Sequence, residues 1–193
     1  MIILKTTIEL NNWFIENINE FGDNMGFVPT MGALHKGHAS LIEKASRECQ
    51  IVVVSILVNP TQFNEKADLE SYPRDLDNDV IVAEKAGATI LFTPTPKDIY
   101  GGTPYAEPVD YGLITSTFEG LSRKGHFDGV VSVVDKLFLA VKPNRAYFGS
   151  KDLQQVAVVE KMSSERHPKI KIVSCDLIRD ENGLALSSRN IRL

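Results

Sequence analysis

The segment GFVPTMGALHKGHASLIEKASRECQIVVVSILV, residues 26–58, carries the pattern that decides the fold. Its two ends, GFVPT (26–30) and IVVVSILV (51–58), are short β-rich runs, and HASLIEKASREC (38–49) between them has apolar residues at helical spacing. A strand, a helix and a second strand in this order predict a βαβ unit with parallel strands. The continuous apolar run at 51–58 is typical of a strand buried on both faces of a sheet.

The same alternation of strands and helices continues along the chain. The further predicted helices are DLDNDVIVAEKAG (75–87), GVVSVVDKLFLAVKP (129–143) and KDLQQVAVVEKMSSER (151–166), and the further predicted strands are ATILF (88–92), RAYFG (145–149) and KIKIVSCDLI (169–178). The segment 94–108, rich in proline and glycine, is expected to be a connection rather than a domain linker. The pattern predicts one α/β domain over residues 1–193, a Rossmann-like, doubly wound parallel sheet with helices on both faces.

Composition excludes several classes of function. Of the 193 residues, 43% are apolar and 24% charged, with a net charge of -4, which is typical of a soluble globular protein and does not favour nucleic acid as a partner. No apolar run reaches the roughly 18 residues of a membrane span, and no secretory leader is recognised, so a cytoplasmic location is expected. The two cysteines, Cys49 and Cys175, are predicted to be buried thiols.

A polar turn with two histidines follows the strand at 26–30. Gly32 and Gly37 flank His35 and His38 where this strand passes into a helix, so free backbone N–H groups and the positive end of the helix dipole predict an anion site. Both imidazoles are able to donate to phosphate oxygens and to titrate near neutral pH. Two alternatives remain: one histidine caps the helix while the other lies on its surface, or the pair binds a metal with ligands that the spacing does not reveal.

An ordered set of motifs carries a family resemblance. The motifs are PTMGALHKGH (29–38), VVSILVNPTQF (53–63), YPRDLDND (72–79), GHFDGVVSVVDKLF (125–138), YFGSKDLQQ (147–155) and LALSSRN (184–190). From about residue 24 to its last residue the chain closely resembles the pantoate–β-alanine ligases (pantothenate synthetases), a family of the HxGH nucleotidyltransferase superfamily. The resemblance implies that ATP and pantoate form pantoyl adenylate and pyrophosphate, and that β-alanine then displaces AMP to give pantothenate.

The resemblance also implies a role for particular residues. His35, His38, Lys151 and Arg189 are expected to act in catalysis, with His38 at the position usually called the proton donor. The expected ATP contacts are Met31, Gly32, His35, Gly37, His38, Gly149, Lys151, Asp152, Ile178, Leu186, Ser187, Ser188 and Arg189. Gln62 and Gln155 are expected to bind pantoate, Asn59 is a third candidate for that contact, and Gln62 is also expected to bind β-alanine.

Other positions leave more than one reading. Asp79 is the expected magnesium ligand among Asp75, Asp77 and Asp79, although acidic residues are equally expected in the first turn of a helix. His126 and Arg123 either organise a loop or approach the substrates. The sequence KMSS at 161–164 resembles the KMSKS motif of synthetases, but it lies in the amphipathic helix predicted after GSKD and is therefore interpreted as a solvated helix face. LSSR (186–189) resembles the functional counterpart of the KMSKS motif.

The family usually continues into a smaller C-terminal domain, which is expected to begin at about the end of this chain. Ser150, Leu186 and Lys124 replace the usual glutamate, methionine and proline of the family. A homodimer is the expected assembly. Two rival functions stay open: a module that binds ATP or pantoate with little turnover, and another HxGH adenylyltransferase, for which basic groups are expected where this chain has Gln62 and Gln155.

Overall fold

The computed structural model describes residues 1–21 and 24–190. Its strands are Ile2–Leu4 (β1), Met25–Thr30 (β2), Ile51–Ile56 (β3), Ile90–Phe92 (β4), Arg145–Gly149 (β5) and Lys171–Cys175 (β6). Its helices are Thr7–Phe21 (α1), Lys36–Glu48 (α2), Lys66–Glu70 (α3), Leu76–Lys85 (α4), Pro96–Tyr100 (α5), Leu113–Ser116 (α6), Glu119–Ser122 (α7), His126–Val141 (α8) and Leu153–Arg166 (α9). Short 3-10 turns at Pro60–Gln62 and Ser150–Asp152 follow β3 and β5.

The six strands form one parallel sheet in the order β1-β4-β3-β2-β5-β6. From β2 the chain passes to β3 and β4 on one side, and it later returns to place β5 and β6 on the other side. The boundary between β2 and β5 is therefore the point where the winding direction reverses, which is where open α/β sheets bind ligands. The predicted doubly wound parallel sheet is confirmed.

Helices cover both faces of the sheet. On one face α1, α8 and α9 pack against the strands through a cluster that includes Leu10, Phe27, Val53, Phe92, Val134, Leu137, Val156 and Met162. On the other face α2 and α4 pack through a cluster that includes Val28, Leu41, Ile42, Val54, Ala83 and Leu91. Residues 51 to 54 of β3 are at most 3% exposed, as the continuous apolar run predicted, because their side chains alternate between these two clusters.

Some predicted boundaries differ from those of the structure. Helix α2 begins at Lys36 rather than residue 38, because His35 is its N-cap, and α8 begins at His126 rather than residue 129, directly after the left-handed Gly125. The strand predicted at 169–178 is limited to Lys171–Cys175. The apolar period alone does not reveal these caps, since a cap is set by backbone hydrogen bonds rather than by burial.

Several elements were not predicted as regular structure, among them the short helices α3, α6 and α7. The amino-terminal segment forms β1 and α1, and the segment taken as a loop contains α5, which starts with Pro96 at its first turn after the N-cap Thr95. The KMSS sequence does lie in α9, but Met162 is fully buried and Ser163 is 2% exposed, so the interpretation as a solvated face is wrong for these two residues.

Both cysteines are buried free thiols, as predicted. None of the helices in the described part of the chain is long and apolar enough to cross a bilayer. The chain end, where the sequence led us to expect the family's smaller domain to begin, lies outside the described residues.

Candidate active site

A cleft of about 240 Å³ lies at the carboxyl ends of the central strands. Segments that follow β2, β3, β5 and β6 line it, so it occupies the place where the winding of the sheet reverses. The predicted site residues in its wall are Met31, His35, Gly37, His38, Gln62, Gly149, Lys151, Asp152, Gln155, Ile178, Leu186, Ser187, Ser188 and Arg189. Gly32, Asn59 and Asp79 lie buried behind this wall.

The two histidines cap helix α2 reciprocally. His35 is the N-cap, and its Nδ1 accepts a hydrogen bond from the Gly37 N–H at 3.1 Å. In return the Nδ1 of His38 accepts from the His35 N–H at 3.3 Å, and the two ring centroids lie 4.1 Å apart. This is the geometry of a capping box, in which the N-cap and N3 side chains satisfy free backbone donors. Because each Nδ1 is an acceptor, each neutral ring carries its proton on Nε2 and presents an N–H donor there.

Both imidazoles are neutral at physiological pH. Burial lowers the pKa of His38 to about 3, and the neighbouring His35 and Lys151 shift it in the same direction. Burial also lowers the pKa of His35, with a further contribution from the charge of Lys151. The expectation of titration near neutral pH is therefore wrong for His38, and the pKa of His35 is shifted in the same direction. They are donors of hydrogen bonds without a net charge.

Two glycines make this turn possible. A Cβ at Gly37 would lie 2.8 Å from Cε1 of His35, so the absence of a side chain lets the His35 ring fold back onto its own helix. Gly32 has φ +84°, a conformation that side chains disfavour, and a Cβ there would lie 2.9 Å from Oδ2 of Asp79. Each glycine is thus required by a close contact with an identified side chain.

Asp79 holds the same turn from behind. Its Oδ1 accepts from the Leu34 N–H at 2.6 Å and its Oδ2 accepts from the Ala33 N–H at 3.1 Å, while the residue is only 1% exposed. Burial raises the pKa of this carboxyl, and the two backbone N–H groups oppose that shift. Both oxygens are occupied by backbone donors away from the cleft, so the placement does not favour the expected magnesium ligand. Among residues 1–21 and 24–190, no group of three or more His, Cys, Asp or Glu could hold a metal ion.

Gln62 is held at several points after β3. Its Nε2 donates to Sδ of Met31 at 3.0 Å, and its Oε1 accepts from Nδ2 of Asn59 at 3.2 Å. Asn59 itself is fully buried, and it also donates to the Gly129 carbonyl at 3.1 Å. The structure therefore corrects the expected contact between Asn59 and pantoate: a side chain with no exposed surface orients Gln62 instead.

A second contact fixes the main chain of Gln62. His126 is 6% exposed, and its Nδ1 lies 2.8 Å from the Gln62 carbonyl, while its Nε2 lies 3.1 Å from Nη1 of Arg123. A guanidinium only donates, so Nε2 of His126 accepts and Nδ1 carries the proton that it donates to the carbonyl. Burial lowers the pKa of His126, which agrees with a neutral ring. Nη1 of Arg123 also pairs with Glu119 at 2.9 Å, and all three side chains line the cleft.

Lys151 lies in the 3-10 turn that follows β5. Its Nζ forms an ion pair with Oδ1 of Asp152 at 2.9 Å, and its side chain is 37% exposed. Its charge reaches the imidazoles across the cleft, since it contributes to the lowered pKa of both His35 and His38. A partly exposed ammonium beside two Nε2–H donors is a suitable arrangement for an anionic ligand.

The segment 186–189 closes another side of the cleft. Oγ of Ser188 donates to the Ala33 carbonyl at 3.1 Å, which ties this segment to the turn before the histidines. Nη2 of Arg189 pairs with Asp68 at 2.8 Å, and the guanidinium lies 5.5 Å from the centroid of the Tyr72 ring. Sequence reasoning assigned no role to Asp68, Glu119 or Tyr72: the first two lie outside the quoted motifs, and the contact of Tyr72, the first residue of YPRDLDND, with Arg189 is a tertiary one.

Comparison with known proteins gives a consistent result. The family model described as pantoate–β-alanine ligase matches residues 2–193. Pantothenate synthetase of Porphyromonas gingivalis is 48% identical over 193 residues, which are all of this chain and 68% of that protein. The chain thus spans about two thirds of the length of this relative.

Solved structures agree in fold over the whole chain. Pantothenate synthetase of Thermus thermophilus superimposes with a TM-score of 0.90 at 43% identity, covering 100% of this chain and 68% of that one. Pantoate–β-alanine ligase of Francisella tularensis, complexed with β,γ ATP and β-alanine, superimposes with a TM-score of 0.93 at 42% identity, covering 100% of this chain and 73% of the other. With a family match over nearly every residue and this agreement in sequence and fold, the chain belongs to the pantoate–β-alanine ligase family.

Proposed function

We propose that this chain activates pantoate with ATP and transfers the pantoyl group to β-alanine, which yields pantothenate, AMP and pyrophosphate. The observation that carries the proposal is that one cleft contains both hydrogen-bond donors and cations suited to phosphate and a pair of neutral side-chain amides. The histidines, Lys151 and Arg189 lie together with Gln62 and Gln155. Family membership and the Francisella structure, which contains β,γ ATP and β-alanine, support the same reaction.

In the first step a carboxylate oxygen of pantoate attacks the α-phosphorus of ATP, and the bond to the bridging oxygen of pyrophosphate breaks. Negative charge grows on the phosphate oxygens and on the leaving group, so donors preset around them lower the barrier. We assign this role to the Nε2–H groups of His35 and His38, to Lys151 and to Arg189. His38 acts as a neutral donor rather than as an acid, because its pKa in the free protein is about 3.

Further ATP contacts are assigned from the wall of the cleft. They are Met31, Gly37, Gly149, Asp152, Ile178, Leu186, Ser187 and Ser188. Gly32 shapes the turn instead, since it is buried and its N–H donates to Oγ1 of Thr30 at 3.1 Å. Arg189 is held by Asp68 in the described state, so binding of polyphosphate exchanges one anionic partner for another.

Gln62 and Gln155 are proposed to bind pantoate. Neutral amides donate to a carboxylate and accept from hydroxyls, which suits a hydroxy acid. They also leave the carboxylate with its electron density, as a nucleophile requires, where a bidentate arginine would withdraw it. In the second step the amine of β-alanine attacks the acyl carbon, the bond to the AMP oxygen breaks, and the amine loses a proton. No covalent intermediate with the protein is needed.

Magnesium enters the proposal only with the nucleotide. Asp79 is turned to the backbone, and the described residues hold no cluster that would form a cage of their own. Magnesium is commonly bound through substrate phosphates with few protein ligands. We therefore propose that the ion is coordinated mainly by ATP, and we derive no step from a protein-bound metal.

Release of pyrophosphate tests the function directly. We expect pyrophosphate from ATP only when pantoate is present, and continued turnover with AMP release when β-alanine is added. Binding of ATP without pantoate-dependent release would instead favour a module with little turnover. Release that requires a phosphorylated acceptor rather than pantoate would favour another adenylyltransferase.

The proposal also includes the domain organisation, the cellular location and the oligomeric state. We propose that residues 1–193 form one nucleotide- and pantoate-binding domain, that the protein acts in the cytoplasm and that it forms a homodimer. Exposed apolar side chains on α6, α7 and α9 and at the N-cap of α7 are compatible with a partner surface: Leu113, Phe118, Leu121 and Leu153 are 67 to 82% exposed. Sedimentation of the purified chain over a range of concentrations tests the dimer.

A further inference from the structure

The proposed reaction uses two carboxylates with opposite requirements. The pantoate carboxylate is the nucleophile of the first step and has to keep its electron density. The β-alanine carboxylate takes no part in bond formation, yet it has to be held so that the amine at the other end reaches the acyl carbon. A permanent cation that binds in two places is the usual partner for such a spectator carboxylate.

Arg123 is a permanent cation in the wall of the cleft. It lines the cleft and its side chain is 35% exposed, but its described hydrogen bonds to Glu119 and His126 both use Nη1. Within residues 1–21 and 24–190, Nη2 and Nε therefore remain available as a pair of donors. Glu119 precedes Arg123 by four residues, so their ion pair holds the guanidinium along the short α7 segment.

A short hydrogen-bonded path links Arg123 to Gln62. Arg123 is connected to the Gln62 carbonyl through a single imidazole, with hydrogen bonds of 3.1 Å and 2.8 Å on its two sides. Standard bond lengths give β-alanine a span of roughly 5 Å between its amine and its carboxylate. Arg123 and Gln62 also line the same cleft, so a carboxylate bound to Arg123 leaves the amine of β-alanine within the cleft that holds Gln62.

The phosphates already have other partners. Lys151 follows β5 and Arg189 belongs to the segment tied to the β2–α2 turn, whereas Arg123 is linked to the residue that follows β3. His126 offers no free lone pair, because Nε2 accepts from Arg123 and Nδ1 donates to Gln62, so it does not compete as a base. The geometry separates a phosphate side of the cleft from an amino-acid side.

We propose that Arg123 binds the carboxylate of β-alanine and that Glu119 and His126 hold its guanidinium in position for that purpose. This inference rests on the proposed ligase function, and it adds a residue to the single contact, Gln62, that the sequence led us to expect for β-alanine. It also assigns a role to His126 of the GHF sequence (125–127). The His126 ring connects Arg123, which would bind the carboxylate of β-alanine, to the main-chain carbonyl of Gln62, which is proposed to bind pantoate.

The test separates the two half-reactions in the variant Arg123→Ala. We expect pantoate-dependent pyrophosphate release in the first turnover to stay within about twofold of wild type, while KM for β-alanine rises about 10- to 100-fold, as for loss of charge-assisted hydrogen bonds. n-Propylamine, an amine without a carboxylate, should react with the adenylate at the same rate in both proteins. Arg123→Lys retains the charge without the planar pair of donors, so it should show a smaller rise in KM.

Lys124→Gln is the matched control, because Lys124 is exposed, adjacent in sequence and outside the wall of the cleft. It should behave as wild type in every assay. An unchanged KM for β-alanine in Arg123→Ala, equal losses with n-propylamine, or an equal slowing of pyrophosphate release would each overturn the proposal. If Arg123→Ala does not fold, an unchanged KM in Arg123→Lys overturns it. Failure of the ligase function itself is distinguishable, since wild-type protein would then release no pantoate-dependent pyrophosphate.

Discussion

Replacement of Asp79 by Asn tests whether this buried carboxylate holds the histidine turn or binds magnesium. Both oxygens accept backbone hydrogen bonds in the structure, one from Leu34 and one from Ala33, which has a positive φ of 51°. An asparagine keeps one acceptor and presents an amide N–H₂ group to the other backbone donor. The change therefore leaves a buried N–H without a partner while it preserves the volume of the side chain.

The loss of stability follows from the backbone N–H group that is left without an acceptor. A buried donor without a partner costs about 1 to 3 kcal/mol, and a hydrogen bond to a charged acceptor contributes in the same range. We therefore expect Asp79→Asn to lower the free energy of unfolding by about 2 kcal/mol, equivalent to roughly 4 to 8 °C in Tm for a domain of this size. The loosened turn should also slow adenylate formation, because it sets the position of the His35 cap.

Asp77→Asn is the matched control, since Asp77 is an exposed acid in the first turn of the same helix. Its loss should change stability by no more than about 0.5 kcal/mol, as for a charge near a helix N-terminus. Denaturant unfolding measures both variants, and a magnesium titration of pyrophosphate release measures the metal requirement. An Asp79→Asn protein with wild-type stability and a greatly increased magnesium requirement would refute the structural role and favour the metal ligand.

Three further predictions concern the histidine turn. His38→Ala should leave the fold largely intact and slow single-turnover adenylate formation by a factor on the order of 100 or more, as for loss of one preset donor; wild-type rates would exclude His38 from the mechanism. Gly37→Ala should displace the His35 ring, because Cε1 of that ring lies 2.8 Å from the added Cβ. We expect this variant to lose about 1 to 3 kcal/mol of unfolding free energy in denaturant and to form the adenylate more slowly. Wild-type stability and a wild-type rate of adenylate formation would contradict the contact. Because the pKa of His38 is about 3, kcat/KM for ATP should show no His38-linked decline as pH rises from about 5.5 to 8; a protonated His38 requirement would instead lower it about tenfold for each pH unit.

The periodic part of the fold is readable from the sequence because burial repeats with the secondary structure. Strand β5 was predicted at its observed bounds, and the run at 51–58 contains β3, whose residues 51 to 55 are at most 3% exposed. The 15-residue helix α1 was missed, and so were short elements without such periodicity: β1 has three residues, and α5 is defined by a cap and a proline rather than by an apolar stripe. Short elements of this kind are stabilised by tertiary contacts, which a single sequence does not display.

The residues of the candidate site were likewise predicted only in part. Residues that follow strands, such as His38, Gln62 and Lys151, reach the cleft because parallel strands deliver their carboxyl ends to one edge. Asn59 and Asp79 have the same polar character in sequence but are turned inward, towards Gln62 and the backbone of the turn. A sequence shows that a polar residue is near a strand end, whereas its direction depends on which buried donors require an acceptor.

The spacing of the two histidines follows from the geometry of a helix start. Residues three apart occupy the N-cap and N3 positions, so each ring reaches a backbone N–H of the other's segment, and the intervening glycine removes the one atom that would block this. The same hydrogen bonds that satisfy the helix backbone also fix the proton on both Nε2 atoms. The arrangement that caps helix α2 is therefore also the one that gives both rings an Nε2–H donor. Loss of either ring frees a backbone donor and disturbs its neighbour, so the effects of replacing both should not add.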